Sequence, residues 1–278
     1  MKMTLGLPSF DNQFSELNQF ILDLVKEYHA ENIKSWDDLD KRVKGFFTSE
    51  VMDEMEALVP GWKKMASYSD GITLTHVICV FLGMFMLPEF QNFSHEQQQI
   101  AKWSVLFHDI DKFHIRGKKD SMHAFHSAVV AAQELPRLNF SVTDKYHELI
   151  DSWSELTYNA YIDPGGGLTL KHDNGKLPEI LTVIKHLYGE NSPAALIIKT
   201  ALLHISLNVD INYPTPSPLT VVEAKRYIDP ALFPLLRVMM LSDNEGWSLF
   251  YPTVRAQQRN DTLKIFAYLE SLINVERQ

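Results

Sequence analysis

The sequence predicts an all-α protein, a helical bundle with one small turn-rich insert. Apolar residues recur at i, i+3, i+4 and i+7 in most of the chain, which is the spacing of one helix face. The clearest run consists of Trp103, Leu106, Phe107 and Ile110. No internal repeat, low-complexity stretch or long linker interrupts the pattern, so we expect one mostly helical domain.

Prolines and capping residues divide the chain into helices. Pro60-Gly61, Pro88 and Pro136 each interrupt an apolar run, because proline cannot continue a helix interior. Ser35 and Ser94 are predicted to cap the helices that follow them. The predicted helices cover residues 10–58 (as several amphipathic helices), 72–87, 97–113, 121–135, 144–158, 177–188, 192–207, a short segment near 221, 231–242 and 262–275.

Residues 161–176 differ in kind from the rest of the chain. Turn-forming residues at 163–167 and 173–175 bracket the alternating Leu168-Thr169-Leu170, which indicates a small hairpin. A second irregular segment, which contains Pro214, Pro216 and Pro218, separates two predicted helices.

Composition limits the classes of function and of site. The 278 residues are enough to bury a substantial core, and the formal net charge of −9 argues against a protein that mainly grips nucleic acid. A small anionic substrate remains compatible, because a bound cation and one lysine can reverse the local field. Cys79 is the only cysteine, so any metal must be held by His, Asp and Glu.

The sequence predicts a cytoplasmic protein with no membrane partner. Residues 1–10 lack the basic start and long apolar core of a signal peptide. Residues 72–87 form the most apolar run, but the run is shorter than a usual membrane span and contains His76, so we expect a buried helix. A lone cysteine also fits a reducing compartment. A homo-oligomer is compatible with this composition.

Several chemically reactive side chains occur in apolar surroundings. His108 and Asp109 end an apolar helical run, His76 lies within another, and Asp243 follows a third. Each has an ordinary alternative: an ion pair with Lys112, a hydrogen-bonded core histidine, or a turn residue at a helix end. Taken together, such residues are typical of a divalent metal site and indicate a metal-dependent helical enzyme.

The order and local sequence of these residues resemble the HD superfamily of metal-dependent phosphohydrolases. Residues 106–112, LFHDIDK, are similar to the family's L-x-H-D-I-G-K. Residues 73–77 and 240–243 resemble the helices that carry the first histidine and the closing aspartate. The segment that begins at residue 125 resembles its counterpart in CCA-adding tRNA nucleotidyltransferases.

The resemblance spans about residues 65–246, which we take as an HD-like core. It leaves residues 1–64 as an N-terminal helical extension, expected to serve packing or to act as a substrate lid, and residues 247–278 as a C-terminal helix. One departure stands inside the motif: Asp111 replaces the usual glycine and adds negative charge where a phosphate would approach.

The resemblance implies a role for each matching residue. The implied metal ligands are His76, His108, Asp109 and Asp243. Asp109 would also orient the attacking water, and Lys112 would contact the substrate phosphate.

Two further histidines have implied roles. His126 would contact the phosphate or bind a second metal, and we favour it over His123 because the family segment matches there. His204 would contact substrate or supply another ligand, with a hydrogen-bonded core histidine as the alternative. The remaining histidines, His172 among them, are expected on the solvated surface.

The resemblance and the ligand types together predict the chemistry. Imidazoles and carboxylates suit Mn, Fe, Ni, Co, Zn or Mg, as one ion or two. We expect hydrolysis of a phosphomonoester or phosphodiester of a nucleotide-like small molecule by metal-activated water. If His126 and His204 both bind metal, the pattern resembles two-metal HD proteins, among them cyclic-dinucleotide phosphodiesterases and di-iron oxygenases. The non-enzymatic alternative is an HD-fold ligand-binding or signalling module.

Overall fold

The computed structural model describes residues 6–67, 72–112, 120–167, 169–208, 215 and 217–275. The prediction of an all-α fold is confirmed, because within these ranges helices dominate and the strands amount to one pair of two residues each. No helix among the described residues is both long and apolar enough to cross a membrane.

The N-terminal helices pack into the main core. They are α1 (Phe10–Gln13), α2 (Ser15–His29), α3 (Trp36–Phe46), α4 (Ser49–Leu58) and α5 (Trp62–Ser67). The Phe10 and Phe14 rings lie edge-on to Trp103, and Lys102 donates to the Asp11 carboxylate. The side chains of α1 are therefore an integral part of the core.

The central helices carry the first candidate residues. They are α6 (Ile72–Met86), α7 (Pro88–Gln91), α8 (His95–Phe107), α9 (His123–Glu134) and α10 (Tyr146–Tyr158). Ser94 caps α8, as predicted. Pro88 ends one helix but also begins α7, since proline is tolerated in a first helical turn.

Helix α8 ends at Phe107, six residues before the predicted end at residue 113. Beyond it the backbone forms tight turns, in which Ile110 N–H donates to Phe107 and Lys112 N–H donates to Asp109. His108 and Asp109 consequently lie at the start of a turn and not within a helix. Residues 113–119 lie outside the described part of the chain.

The insert contains the predicted hairpin, but the strands lie elsewhere. β1 (Tyr161–Ile162) pairs antiparallel with β2 (Lys171–His172), and a short 3-10 helix follows at Asn174–Lys176. Thr169 and Leu170 belong to neither strand, and Leu168 lies outside the described residues. Thr169 and Leu170 therefore belong to the connection between the strands, and not to a strand as their alternation with Leu168 predicted.

The last helices surround the remaining candidates. They are α11 (Leu177–Tyr188), α12 (Pro193–Leu203), α13 (Val221–Tyr227), α14 (Leu232–Ser248) and α15 (Pro252–Val275). Helix α12 ends four residues earlier than predicted, and α15 begins ten residues earlier. Pro214 and Pro216 lie outside the described residues, whereas Pro218 precedes α13.

Helix α14 runs past Asp243, so the turn-residue alternative for this aspartate is wrong. Neighbouring side chains are held by α15: Asn244 donates to Thr262 Oγ1 at 2.8 Å, and the buried Glu245 pairs with Arg255. These contacts keep the segment Asn244-Glu245-Gly246 helical although its composition favours a turn.

Helices α6 and α14 make the most extensive helix contact of the described fold, and glycines permit it. A Cβ atom at Gly246 would lie 2.5 Å from Val80 Cγ2 and 2.9 Å from His76 Cε1. A Cβ atom at Gly83 would lie 2.6 Å from Glu245 Cβ. Only glycine fits at either position without movement, and the close approach places His76 beside Asp243.

Candidate metal centre

Six side chains from five places in the chain meet inside the bundle. They form two groups whose candidate ligand atoms lie within 4.8 Å of one another. The first set consists of His76, His108 and Asp243, and the second set consists of Asp109, His123 and His204. Each group could hold a metal ion.

The first set is supplied by α6, the turn after α8, and α14. His76 Nε2 lies 3.0 Å from Asp243 Oδ1, and His108 Nε2 lies 3.9 Å from the same oxygen. Asp109 Oδ2 also faces this set, at 3.5 Å from His76 Nε2 and 3.6 Å from His108 Nε2. The structure thus brings together the four residues that the resemblance implied as metal ligands.

The second set lies on the other side of the Asp109 carboxylate. Asp109 Oδ1 is 3.3 Å from His123 Nε2 and 3.7 Å from His204 Nε2. The two imidazole nitrogens are only 3.2 Å apart. Asp109 therefore presents one oxygen to each set.

Backbone contacts determine which ring nitrogens face the centre. His108 Nδ1 lies 2.7 Å from Val105 O, His123 Nδ1 lies 2.5 Å from Asp120 O, and His204 Nδ1 lies 2.7 Å from Ala201 O. A carbonyl oxygen only accepts, so we assign the proton to Nδ1 in each ring. Each Nε2 then directs a lone pair into the centre, which is the arrangement of a metal-binding histidine.

These lone pairs have too few donors around them. His108 Nε2 and Asp109 Oδ1 are buried without a hydrogen-bond partner among the described residues. Leaving such an atom unsatisfied costs about 1–3 kcal/mol. An ion held by the second set would satisfy Asp109 Oδ1, and an ion held by the first set would satisfy His108 Nε2, so the residues present fit divalent ions.

His76 differs from the other histidines. Its Nδ1 is buried and has no hydrogen-bond partner among the described residues. A Cβ atom at Gly246 would lie 3.1 Å from this nitrogen, so the ring rests against the bare backbone of α14. Packing and the contact of Nε2 with Asp243 Oδ1, and not a hydrogen bond to Nδ1, orient His76.

The protonation states suit metal binding. Burial lowers the pKa of His108 to about 4 and holds the pKa of His123 well below its usual range. Burial acts to raise the pKa of Asp109, but the positive charge of Lys112 keeps it well below the ordinary value. Neutral imidazoles and an anionic carboxylate are the forms that bind a metal.

Asp111 and Lys112, which follow Asp109 in the turn, are both paired. Lys112 Nζ lies 2.6 Å from Asp109 Oδ2, as in the ion-pair alternative. Asp111 accepts from Lys64, which offsets the negative charge that the sequence places near the centre. The Asp111 backbone N–H donates to Ser127 Oγ at 3.2 Å, which fixes the turn against α9.

The structure places His123, and not His126, beside Asp109 and His204. His126 is half-buried, and its ring stacks on Tyr158 with centroids 4.1 Å apart. Three residues along a helix correspond to a rise of about 4.5 Å, which carries His126 away from the carboxylate. The choice of His126 over His123 as a second-metal ligand is corrected, whereas a phosphate contact by His126 stays a prediction.

The prediction that His172 lies on the solvated surface is wrong, because its side chain is buried. Its Nε2 lies 2.9 Å from Ser217 O, its Nδ1 lies 3.3 Å from Ser121 O, and its ring stacks on Phe125. Ser121 Oγ donates back to Leu170 O. The insert thereby joins the segment before α9 to the chain that follows His204.

The centre is open to solvent on one side. The Asp243 and Lys112 side chains are each 22% exposed, whereas those of the other five candidate ligands are almost fully buried. Solvent therefore reaches the centre between α14 and the turn after α8.

Comparisons of the chain with protein-family models, curated proteins and solved structures found no match. The resemblance to HD proteins consequently rests on the sequence motifs.

Proposed function

We propose that this protein is a metal-dependent phosphohydrolase that cleaves a phosphomonoester or phosphodiester of a nucleotide-like small molecule. One observation carries the proposal: the Nε2 lone pairs of His108, His123 and His204 face the Asp109 carboxylate, whose buried Oδ1 has no hydrogen-bond donor among the described residues. Phosphoryl transfer depends mainly on position and positive charge, which a centre of this composition can provide once an ion is bound.

A bound divalent ion would supply positive charge that acidifies a nearby water and offsets charge on the phosphate. Asp109 is held as an anion in the middle of the centre and would accept a hydrogen bond from the attacking water. In the reaction the water oxygen bonds to phosphorus, the ester P–O bond breaks, and the leaving oxygen takes up a proton.

Lys112 would contact the phosphate. Its side chain borders the open side of the centre, and its Nζ already contacts Asp109 Oδ2. The pairing of Asp111 with Lys64 supports this role, because it reduces the repulsion that a phosphate would otherwise meet.

A second candidate function is an oxygenase with two irons. It is favoured by the second set, because its Asp109 also faces the first set through Oδ2 and so allows two neighbouring ions. A third candidate function is a ligand-binding or signalling module without turnover. It is supported only by Asp111, which replaces the usual glycine of the motif.

The test begins with elemental analysis of the protein purified without added metal, beside His108→Ala. We expect one or two equivalents of a divalent metal, strongly reduced in the variant, and phosphate release from nucleotide-like esters by the metal-loaded protein. If the protein contains two irons and consumes oxygen, the oxygenase and not the hydrolase is the function. Metal binding without turnover of any phosphate ester would favour the binding module, and failure to bind metal would overturn the centre itself.

A further inference from the structure

Trp247 is a large aromatic residue at the edge of the candidate centre. It follows Asp243 by one turn of α14, and it remains 44% exposed. A single exposed aromatic residue is ordinary on a protein surface. Trp247 differs from such residues because it lies at the solvent-exposed side of the candidate centre.

The indole is held in a fixed orientation. It stacks on His76, with ring centroids 4.2 Å apart and an interplanar angle of 20°. Trp36 contacts it at 6.1 Å between centroids. Because His76 is fully buried, it covers one face of the indole, and the exposed area must belong to the rest of the ring.

The exposed indole borders the route into the centre. Lys112 Nζ lies 5.8 Å from its ring centroid, and Asp243 precedes it by four residues on the same helix. These are the two partly exposed groups through which the centre meets solvent. A molecule whose phosphate reaches Lys112 therefore passes along Trp247.

We propose that Trp247 is a stacking platform for a planar aromatic group of the substrate, which makes a nucleobase-bearing phosphate ester the preferred substrate class. The inference rests on the proposed function, since it assumes that the phosphate binds at the neighbouring centre. Every nucleobase offers a π-face, so an indole fixed in this way discriminates a nucleotide from a sugar phosphate without selecting one base.

The kinetic test compares adenosine 5′-monophosphate with ribose 5-phosphate, which lacks the base. In the metal-loaded wild type we expect the ratio of kcat/KM to favour the nucleotide. Stacking on one aromatic residue is worth about ten-fold or more, so Trp247→Leu should lower the ratio by about that factor. Trp247→Phe keeps an aromatic ring and should retain most of it. Tyr268→Leu removes another exposed aromatic residue, on α15, and should leave the ratio unchanged.

A second measurement needs neither metal nor turnover. Adenosine is titrated into the protein while tryptophan fluorescence is recorded, with ribose as the control ligand. Stacking on Trp247 should quench part of the emission in the wild type and in Tyr268→Leu, and Trp247→Leu should lose this quenching.

The outcomes separate the two proposals. If no phosphate ester is hydrolysed while adenosine still quenches Trp247, the proposed function fails and the platform stands. If Trp247 only holds His76 in place, Trp247→Leu will lower metal content and both activities together, leaving their ratio unchanged. That result, or adenosine quenching that persists in Trp247→Leu, overturns the inference.

Discussion

The two ligand sets occupy one centre but are built in different ways. The first set is carried mainly by α6 and α14, two long helices packed closely through Gly83 and Gly246, and it meets solvent at Asp243. The second set is almost fully buried, and all its residues lie at helix ends: after α8, at the start of α9 and after α12.

This difference shows what fixes each set. Helix packing places His76 against Asp243, so the geometry of the first set follows from the core. Backbone carbonyls at helix ends orient His123 and His204, and the insert holds the adjoining segments through His172. Substitutions that affect one set should therefore leave much of the other intact, apart from those at Asp109, which faces both sets.

The largest effect is expected from Asp109→Ala. Because Oδ2 faces the first set and Oδ1 faces the second, both should lose their ions, and Lys112 is left without its carboxylate partner. Removing a residue that merely supports a ligand already lowers metal affinity about 10–100-fold, so the loss here should exceed 100-fold. Isothermal titration with the metal found in the wild type measures it.

Asp111→Ala is the matched control, since it removes a neighbouring carboxylate that pairs with Lys64. It should keep near wild-type metal content. Full occupancy of either set in Asp109→Ala would show that the carboxylate is not shared.

His123→Ala and His126→Ala separate the two sets directly. The first substitution removes an Nε2 that lies 3.3 Å from Asp109, and it should abolish the second set's ion while the first set keeps its own. The second removes a ring that stacks on Tyr158, so metal content should not change. Metal-to-protein ratios of the two variants, measured side by side, test this expectation. A loss of metal in His126→Ala but not in His123→Ala would show that His126 is the ligand.

Gly246→Ala tests the packing of the first set. The added Cβ would meet Val80 and His76, and overpacking of this kind typically lowers the free energy of unfolding by about 1–3 kcal/mol. We also expect this substitution to lower the metal affinity of the first set more than that of the second set. Gly45→Ala, on α3, places a Cβ with no described atom within 4 Å and should stabilise the protein by about 0.5–1 kcal/mol. Chemical denaturation with a chelator present compares them, and equal effects would argue against close packing at α14.

Acidification of the metal-free protein should act on both sets. His108 has a folded-state pKa of about 4, against 6.5 when unperturbed, so between these values the unfolded chain binds a proton that the folded chain does not. The free energy of unfolding should consequently fall as pH drops from 6.5 towards 4, by roughly 2 kcal/mol at pH 5 from this residue. The lowered pKa of His123 adds in the same direction.

Urea denaturation at pH 7 and pH 5, with chelator, measures this loss. His108→Asn removes one titrating group and should flatten the dependence. A stability that rises on acidification would contradict the buried neutral state.

Sequence patterns predicted the parts of the molecule that helix packing determines. The bounds of α11 agree with those predicted, and the structure brings together the four residues chosen as ligands. The errors occur where tertiary contacts override local preference. Helix α14 continues through Gly246 because α6 and α15 hold it, and α8 stops before His108 because tight turns begin there.

The second set was harder to predict for the same reason. His123 and His126 share one helix face in sequence, and the point at which α9 begins decides which of them reaches Asp109. His172 lies in a segment without periodicity, and its burial depends on chain segments distant in sequence. Local periodicity therefore predicts neither the residue at which α9 begins nor the burial of His172.

His76 and Asp243 are separated by 167 positions along the chain. Joining points so far apart in an unfolded chain has a high entropic cost, so the first set can assemble only when both helices are in place. During synthesis, the ion could not be captured until α14 had left the ribosome. Uptake of the first-set ion would then follow the synthesis of α14, and an interrupted chain that ends before Asp243 would remain without this ion.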